Sequence, residues 1–165
     1  MDWHSFLVIS HVIGAVFGAG GATMAEVFSI KALKDGVINE TENDFLKTIY
    51  FFIRLGLFIL ILSGFGLLLL YRMEGVAPET IYTDNFIAKL LIVLVIIFNP
   101  LLVQAKIISY SVSSPLSLVS WYAALILGAW RTLDASFFSI VGVYLAAVLI
   151  AVFAVKYFYE PRVKN

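Results

Sequence analysis

The sequence predicts an all-α membrane protein, a single bundle of five transmembrane helices that takes up residues 1–165. Two observations predict this fold class. Hydrophobic residues make up 62% of the chain and charged residues 13%, where a soluble domain carries about 25% charged residues. The apolar residues also gather into runs of about 20, the length that a helix needs to cross a bilayer. This is more apolar surface than one soluble core can bury, so the surplus is expected to face lipid.

Five segments have the length and hydropathy of a membrane span. They are residues 5–30, 45–70, 85–108, 116–133 and 137–159. The first segment follows no basic stretch, so we expect it to be retained and not cleaved as a signal peptide. The sequence shows no internal repeat and no separate soluble domain.

Capping and breaking residues mark the connections between the segments. Asp44 is a suitable N-cap for the second helix. Gly75 and Pro78 are predicted to break the chain in the longest outer loop. Ser114 is predicted to cap the fourth helix, with Pro115 at its first position, where a proline loses no helical hydrogen bond. The last two helices are joined by so few residues that they must form a tight antiparallel hairpin.

Basic residues near the helix ends predict the orientation, because they are retained on the cytoplasmic side. One side holds Lys31, Lys34, Lys47, Lys106, Lys156, Arg162 and Lys164, and the other holds Arg72, Lys89 and Arg131. This excess places the N-terminus outside and the C-terminus in the cytoplasm. We expect a multi-pass protein of the cell membrane, the inner membrane of a prokaryote.

Charge and composition exclude several classes of function. Eleven basic and eleven acidic residues give a net charge of zero, which argues against a nucleic-acid partner. The chain has no cysteine, so disulfides, thiolate metal sites and thiol catalysis are excluded. The outer loops show no order of serine, histidine and carboxylate, and the sequence has no metal motif or phosphate loop. Soluble-type catalysis is therefore not expected, and whether the protein is an enzyme stays open.

A histidine lies among small residues in the first segment. At 100° per residue, His4, His11 and Gly18 fall in one stripe of the helix with Gly14 beside it. This leaves a flat slot beside the imidazole, which suits a haem with His11 as the iron ligand. The alternative is close helix packing, because Gly14 and Gly18 form a small-xxx-small motif.

Two opposite charges are predicted at similar depth on neighbouring helices. Glu26 lies near the inner end of the first helix, and Arg54 lies about two and a half turns into the second from the same side. A buried ion pair would lower the cost of placing either charge in the membrane. The pair would be a structural ion pair that fixes the register of the two helices, or it would be part of a proton or ion relay.

Three cations are predicted at the outer boundary, on the side of His4 and His11. Arg72, Lys89 and Arg131 would suit the propionates of a haem. The alternative is that they extend from the surface toward water and pair with acidic neighbours.

Polar amides interrupt the third segment. Pro100 is expected to kink this helix, and Asn99 can hydrogen-bond within the bundle. Asn99 and Gln104 would bound a cavity or line a path through the membrane, or simply pack.

Three stretches resemble known membrane families. "SHVIGAVFGAGGA", "FIRLGLFILILSGFGLLLL" and "NFIAKLLIVLVIIFNP" resemble the first three helices of the copper-resistance-D-like and small membrane protoporphyrinogen-oxidase-like families. The resemblance covers roughly the first 110 residues. It implies haem binding through the first-helix histidine, here His11. The oxidase family has a second histidine about three turns after the third-helix lysine, and this chain has Asn99 there.

These features favour a haem-binding redox membrane protein over two alternatives. His11 would be the axial ligand of haem b, and His4 or a neighbouring subunit would supply the second. One alternative is a small transporter or channel lined by Glu26, Arg54, Asn99 and Gln104. The other is a non-catalytic subunit whose glycine faces pack against partner helices. In each case we expect the lipid bilayer and a second copy or another membrane protein as partners.

Overall fold

The computed structural model of the chain describes residues 2–32, 39–130 and 133–159. Its helices are α1 (Trp3–Ala32), α2 (Glu40–Met73), α3 (Pro78–Ile81), α4 (Asp84–Gln104), α5 (Tyr110–Ala129) and α6 (Phe137–Tyr159). The described ranges contain no strand, and every helix except α3 is long and apolar enough to cross a membrane. This confirms the all-α class and the five apolar helices. The orientation stays a prediction.

The first helix begins after Asp2, which lies outside the apolar span. Its carboxylate accepts a hydrogen bond from the Ser5 amide at 2.8 Å. Hydrogen bonds from the Ser5 hydroxyl and amide hold the pKa of the Asp2 carboxyl below its ordinary value. This cap is therefore present once the carboxyl is ionised and is lost in acid.

The second helix begins earlier than predicted, because a better cap precedes the apolar run. The Asn39 side chain accepts from the Glu42 amide at 2.9 Å, and the Glu42 carboxylate accepts from the Asn39 amide at 2.9 Å. This capping box starts the helix at Glu40. Asp44 is therefore not the N-cap. It lies inside α2 and pairs with Lys47 at 2.9 Å.

The N-terminus of α5 also differs from the prediction. The helix begins at Tyr110, so Ser114 and Pro115 lie inside it and not at its start. Pro115 is fully buried, and membrane helices tolerate an internal proline when neighbouring groups compensate for the missing hydrogen bond. The outer loop breaks where the sequence predicts, since Gly75 has a φ of +74° and Pro78 is the first residue of α3.

Helices α1 and α2 form a closely packed antiparallel pair. A Cβ atom added to Gly14 would lie 2.8 Å from the carbonyl oxygen of Gly56, and one added to Gly66 would lie 2.8 Å from Leu7. Near the other end, a Cβ on Gly21 would lie 2.6 Å from Ile53. Glycines therefore let the two backbones touch at Gly14 and Gly56, and let a side chain of the other helix pack closely at Gly21 and Gly66.

The helix α5 lies at the centre of the bundle. Trp121 contacts α1 at Gly18, and the Ser120 hydroxyl lies 2.8 Å from the Tyr144 hydroxyl of α6. The Asn99 amide of α4 donates to the Ser113 carbonyl at 3.0 Å. Helix α2, in contrast, packs chiefly on α1. We call the end of the bundle with the C-terminus of α1 the inner end, after its predicted cytoplasmic side.

Candidate functional site

His11 is half-buried between α1 and α2. Its Nδ1 lies 3.1 Å from the Ser63 hydroxyl oxygen, and that hydroxyl donates to the Ile59 carbonyl at 2.6 Å. Because the single hydroxyl proton is used there, Ser63 accepts from Nδ1 and the neutral imidazole carries its lone pair on Nε2. Gly64 makes room for the ring, since a Cβ added to it would lie 3.1 Å from His11 Cε1.

His4 lies apart from His11. Its Nε2 is 3.3 Å from the hydroxyl oxygen of Tyr71, near the outer end of α2. Seven residues, about 10 Å of helix, separate the two histidines along α1. The structure does not bring them together around one point.

The flat space predicted beside His11 is filled by protein. At Gly14 it holds the backbone of Gly56 and Leu60, and at Gly18 it holds the ring of Trp121, which a Cβ would overlap. A planar macrocycle does not fit between these groups. Both glycines therefore have the packing role that was the alternative interpretation.

The three predicted outer cations are not gathered into one described cluster. The ammonium group of Lys89 lies 5.3 Å from the centre of the Phe86 ring and within electrostatic range of His11. Arg72 is exposed in the last turn of α2. Arg131 lies outside the described residues.

Glu26 and Arg54 do not form the predicted ion pair. Within residues 2–32, 39–130 and 133–159, the ion pair present joins Lys47 to Asp44. The Glu26 carboxylate instead accepts a hydrogen bond from the Ser114 hydroxyl of α5. Arg54 is exposed on α2. Two features keep them apart. Glu26 is turned toward Ser114 of α5, and Gly21 contacts Ile53, which places Arg54 about one and a half turns deeper than Glu26.

The two predicted amides in α4 have different surroundings. Asn99 is buried and holds α4 to α5 through Ser113, while its Oδ1 has no hydrogen-bond partner in the described part of the chain. Gln104 is exposed at the last residue of α4. Only Asn99 therefore lies inside the bundle.

A cluster of hydroxyl groups surrounds the inner end of α1. The Tyr110 hydroxyl lies 2.8 Å from that of Ser29 and 2.7 Å from that of Tyr50. Glu26 and Ser114 lie one helical turn further into the membrane on the same two helices. We call Glu26, Ser29, Tyr50, Tyr110 and Ser114 the inner polar cluster.

The sequence interpretation missed four members of the inner polar cluster. Ser114 was assigned to a helix cap, and Tyr110 to the connection before it. Ser29 could have been identified from the sequence, because it continues the small-residue face of α1 formed by Ala22 and Ala25. All three residues are buried.

Trp121 separates the inner polar cluster from the His11–Ser63 pair. Its side chain is 2% exposed and packs on Gly18, Ala19 and Ala22 of α1. The indole Nε1 has no hydrogen-bond partner among the described residues. A buried donor without a partner costs about 1–3 kcal/mol, so the indole is held by packing alone.

In the described part of the chain, no three histidine or acidic side chains are placed to share a metal ion. Comparison of the sequence and the fold with family models, curated proteins and solved structures finds no match. Function is therefore inferred from the geometry of the chain itself.

Proposed function

We propose that the protein moves protons across the membrane along the helix α1, with Glu26 as the membrane-embedded proton carrier. The observation that supports this most is the inner polar cluster. A carboxylate inside a span is costly unless it is used or neutralised. Among the described residues, the partner of Glu26 is a hydroxyl group and not a cation.

The inner half of the proposed path begins at the tyrosines. Tyr110 is 43% exposed and is the first residue of α5, at the inner end of the bundle, so its hydroxyl would receive protons from the inner solution. The contacts of 2.7 and 2.8 Å among Tyr50, Tyr110 and Ser29 are short enough for protons to pass between hydroxyls. Glu26 and Ser114 lie one turn deeper, so Glu26 is the first group on this path that can hold a charge.

Trp121 is the proposed gate. Fifteen residues, about 22 Å of helix, separate Glu26 from His11, and Trp121 lies between them. Its ring rests on Gly18, and its Nε1 lacks a partner in the described chain. Moving the ring away from Gly18 would admit water and satisfy the indole nitrogen. Beyond the gate, the His11 Nε2 would accept the proton, because Ser63 holds Nδ1 as a donor.

Two serines of α5 provide the test. Ser114→Ala removes the hydroxyl that hydrogen-bonds Glu26, while Ser120→Ala removes a buried hydroxyl that contacts Tyr144 of α6 instead. Proton uptake into proteoliposomes, driven by a potassium diffusion potential, would be followed with a pH-sensitive dye. We expect Ser114→Ala to slow uptake about tenfold, since a hydrogen bond to a charged group contributes about 1.5–3 kcal/mol. We expect Ser120→Ala to stay within twofold of the wild type.

Either of two results contradicts the proposal. Wild-type vesicles that take up protons no faster than empty ones would show that the chain does not conduct. Equal slowing by both serine variants would show that the loss comes from general destabilisation and not from the Glu26 contact.

Haem ligation by His11 is the second candidate function. The Ser63 contact favours it, but it requires α1 and α2 to separate at Gly14, because the space beside the imidazole is filled by protein. A histidine whose Nδ1 donates a proton presents Nε2 as a metal ligand, and haem would supply redox chemistry when bound. Its test is an absorption spectrum of the purified protein before and after dithionite. Ligation predicts a Soret band that shifts on reduction, disappears in His11→Ala and persists in His4→Ala. A featureless spectrum after haem addition overturns this candidate.

A further inference from the structure

Arg54 lies on a face of α2 that points away from α1. The side chains of this face recur at helical spacing and are all exposed: Phe51, Arg54, Phe58, Leu62 and Phe65. Phe51 and Phe58, which flank the arginine, are 60% and 61% exposed. Since α2 packs chiefly on α1, this face is available to contact lipid or another protein in the membrane.

The guanidinium group of Arg54 has no hydrogen-bond or ionic partner among the described residues. Lys47, one of its basic neighbours along α2, is already paired with Asp44. An arginine within a span costs about 2.5–3.5 kcal/mol on insertion scales, and less when it reaches a polar group at the interface. We therefore expect a group outside the described residues to neutralise it.

The position of Arg54 indicates where that group lies. Its Cα is six residues, about 9 Å, deeper than Thr48 in the polar first part of α2. Side chains of a helix tilt toward its N-terminus, which for α2 is the inner end. A long arginine side chain therefore extends from this position toward the lipid headgroups.

A second copy of the chain is poorly suited to cover Arg54. Two α2 helices paired about an axis along the membrane normal would place both Arg54 residues at one depth, where like charges repel. Glu26, the described acidic residue nearest to that depth, accepts a hydrogen bond from Ser114 of α5. The planar guanidinium instead matches a phosphate, which it can bind with two parallel hydrogen bonds.

We propose that Arg54 binds the phosphate of an anionic phospholipid in the leaflet at the inner end. Phe51 and Phe58 would contact its acyl chains on either side of the guanidinium. An anionic lipid such as phosphatidylglycerol is favoured over a zwitterionic one such as phosphatidylcholine, because no cationic group in its headgroup offsets the charge of the phosphate. This site is independent of the proposed proton path, since Arg54 faces away from α1.

The test measures thermal unfolding in a maltoside detergent while phosphatidylglycerol or phosphatidylcholine is added. We expect phosphatidylglycerol to raise the unfolding temperature of the wild type by several degrees, and phosphatidylcholine to raise it less. Arg54→Gln should lose more than half of the phosphatidylglycerol shift. Arg54→Lys should give an intermediate shift, because the charge remains but the two parallel hydrogen bonds are lost. The matched control is Lys156→Gln, an exposed cation in the last turn of α6, which should keep the full shift.

Three results would overturn the proposal. An unchanged shift in Arg54→Gln would place the lipid elsewhere. An equal shift with inorganic phosphate alone would show that the site takes the ion and not a lipid. An unchanged lipid shift, together with loss of a co-purifying membrane protein in Arg54→Gln, would assign this face to an acidic partner helix.

Discussion

Replacing Glu26 with glutamine is expected to reduce proton uptake into proteoliposomes to the level of empty vesicles. Glutamine is nearly isosteric with glutamate, and its carbonyl oxygen still accepts the Ser114 hydroxyl. The helix contact is therefore kept, but the side chain no longer takes up or releases a proton. The measurement is the rate of internal acidification or alkalinisation under an imposed membrane potential.

The control for this prediction is Glu79→Gln, in the short helix α3 outside the spans. It removes one carboxylate without changing the bundle, so its uptake rate should match the wild type. Unchanged uptake in Glu26→Gln would remove Glu26 from the path. The Ser114 contact would then be a packing interaction, and its loss would lower only the unfolding temperature.

Replacing Gly14 with leucine is expected to destabilise the protein by about 3 kcal/mol, the upper end of the cost of overpacking a core. The neighbours of an added Cβ are backbone atoms, the Gly56 oxygen and the Leu60 nitrogen, each 2.8 Å away. Backbone atoms cannot rotate out of the way as a side chain can, so α1 and α2 must separate. The free energy of unfolding would be measured in mixed micelles with increasing dodecyl sulfate.

Gly20 provides the matched control on the same helix. A Cβ added to Gly20 meets nothing within 4 Å, so Gly20→Leu should not destabilise the protein. Removing a glycine from the helix interior should instead add up to about 1 kcal/mol. Equal effects at positions 14 and 20 would mean that the helices do not touch at Gly14. The flat space beside His11 would then be open, and the haem candidate would gain support.

The polar residues inside the spans were the most informative feature for locating the site. His11, Glu26 and Asn99 could each be selected from the sequence, because an ionisable or amide side chain is expensive in lipid and rarely lies there without a partner. Tyr50, Tyr110 and Ser114 could not. Serine hydroxyls in membrane helices commonly bond their own backbone, and tyrosines are common at helix ends near the interface, so neither residue type stands out. Their importance depends on which helix they face.

The sequence by itself determined the membrane class, the all-α fold and the approximate position of five helices, because each of these follows from a local property. A run of about 20 apolar residues in a bilayer must form a helix, because only a helix pairs all of its backbone N–H and C=O groups within the segment. This holds whichever helices pack beside it. The helix ends were less well determined. Helix α2 is preceded by Asn39 and not by Asp44, and α5 is preceded by Ser109 and not by Ser114. Hydropathy did not indicate these caps, because they lie outside the apolar runs.

Only the tertiary structure decided which residues face one another. Chain order suggested Arg54 as the partner of Glu26, since α2 follows α1, but the rotation of α1 about its axis turns Glu26 toward Ser114 of α5. The same rotation places Gly14 on the backbone of α2 and Gly18 beneath Trp121. A helix presents a different residue every 100°, so its neighbours are fixed by packing of the whole bundle and not by the sequence of one span.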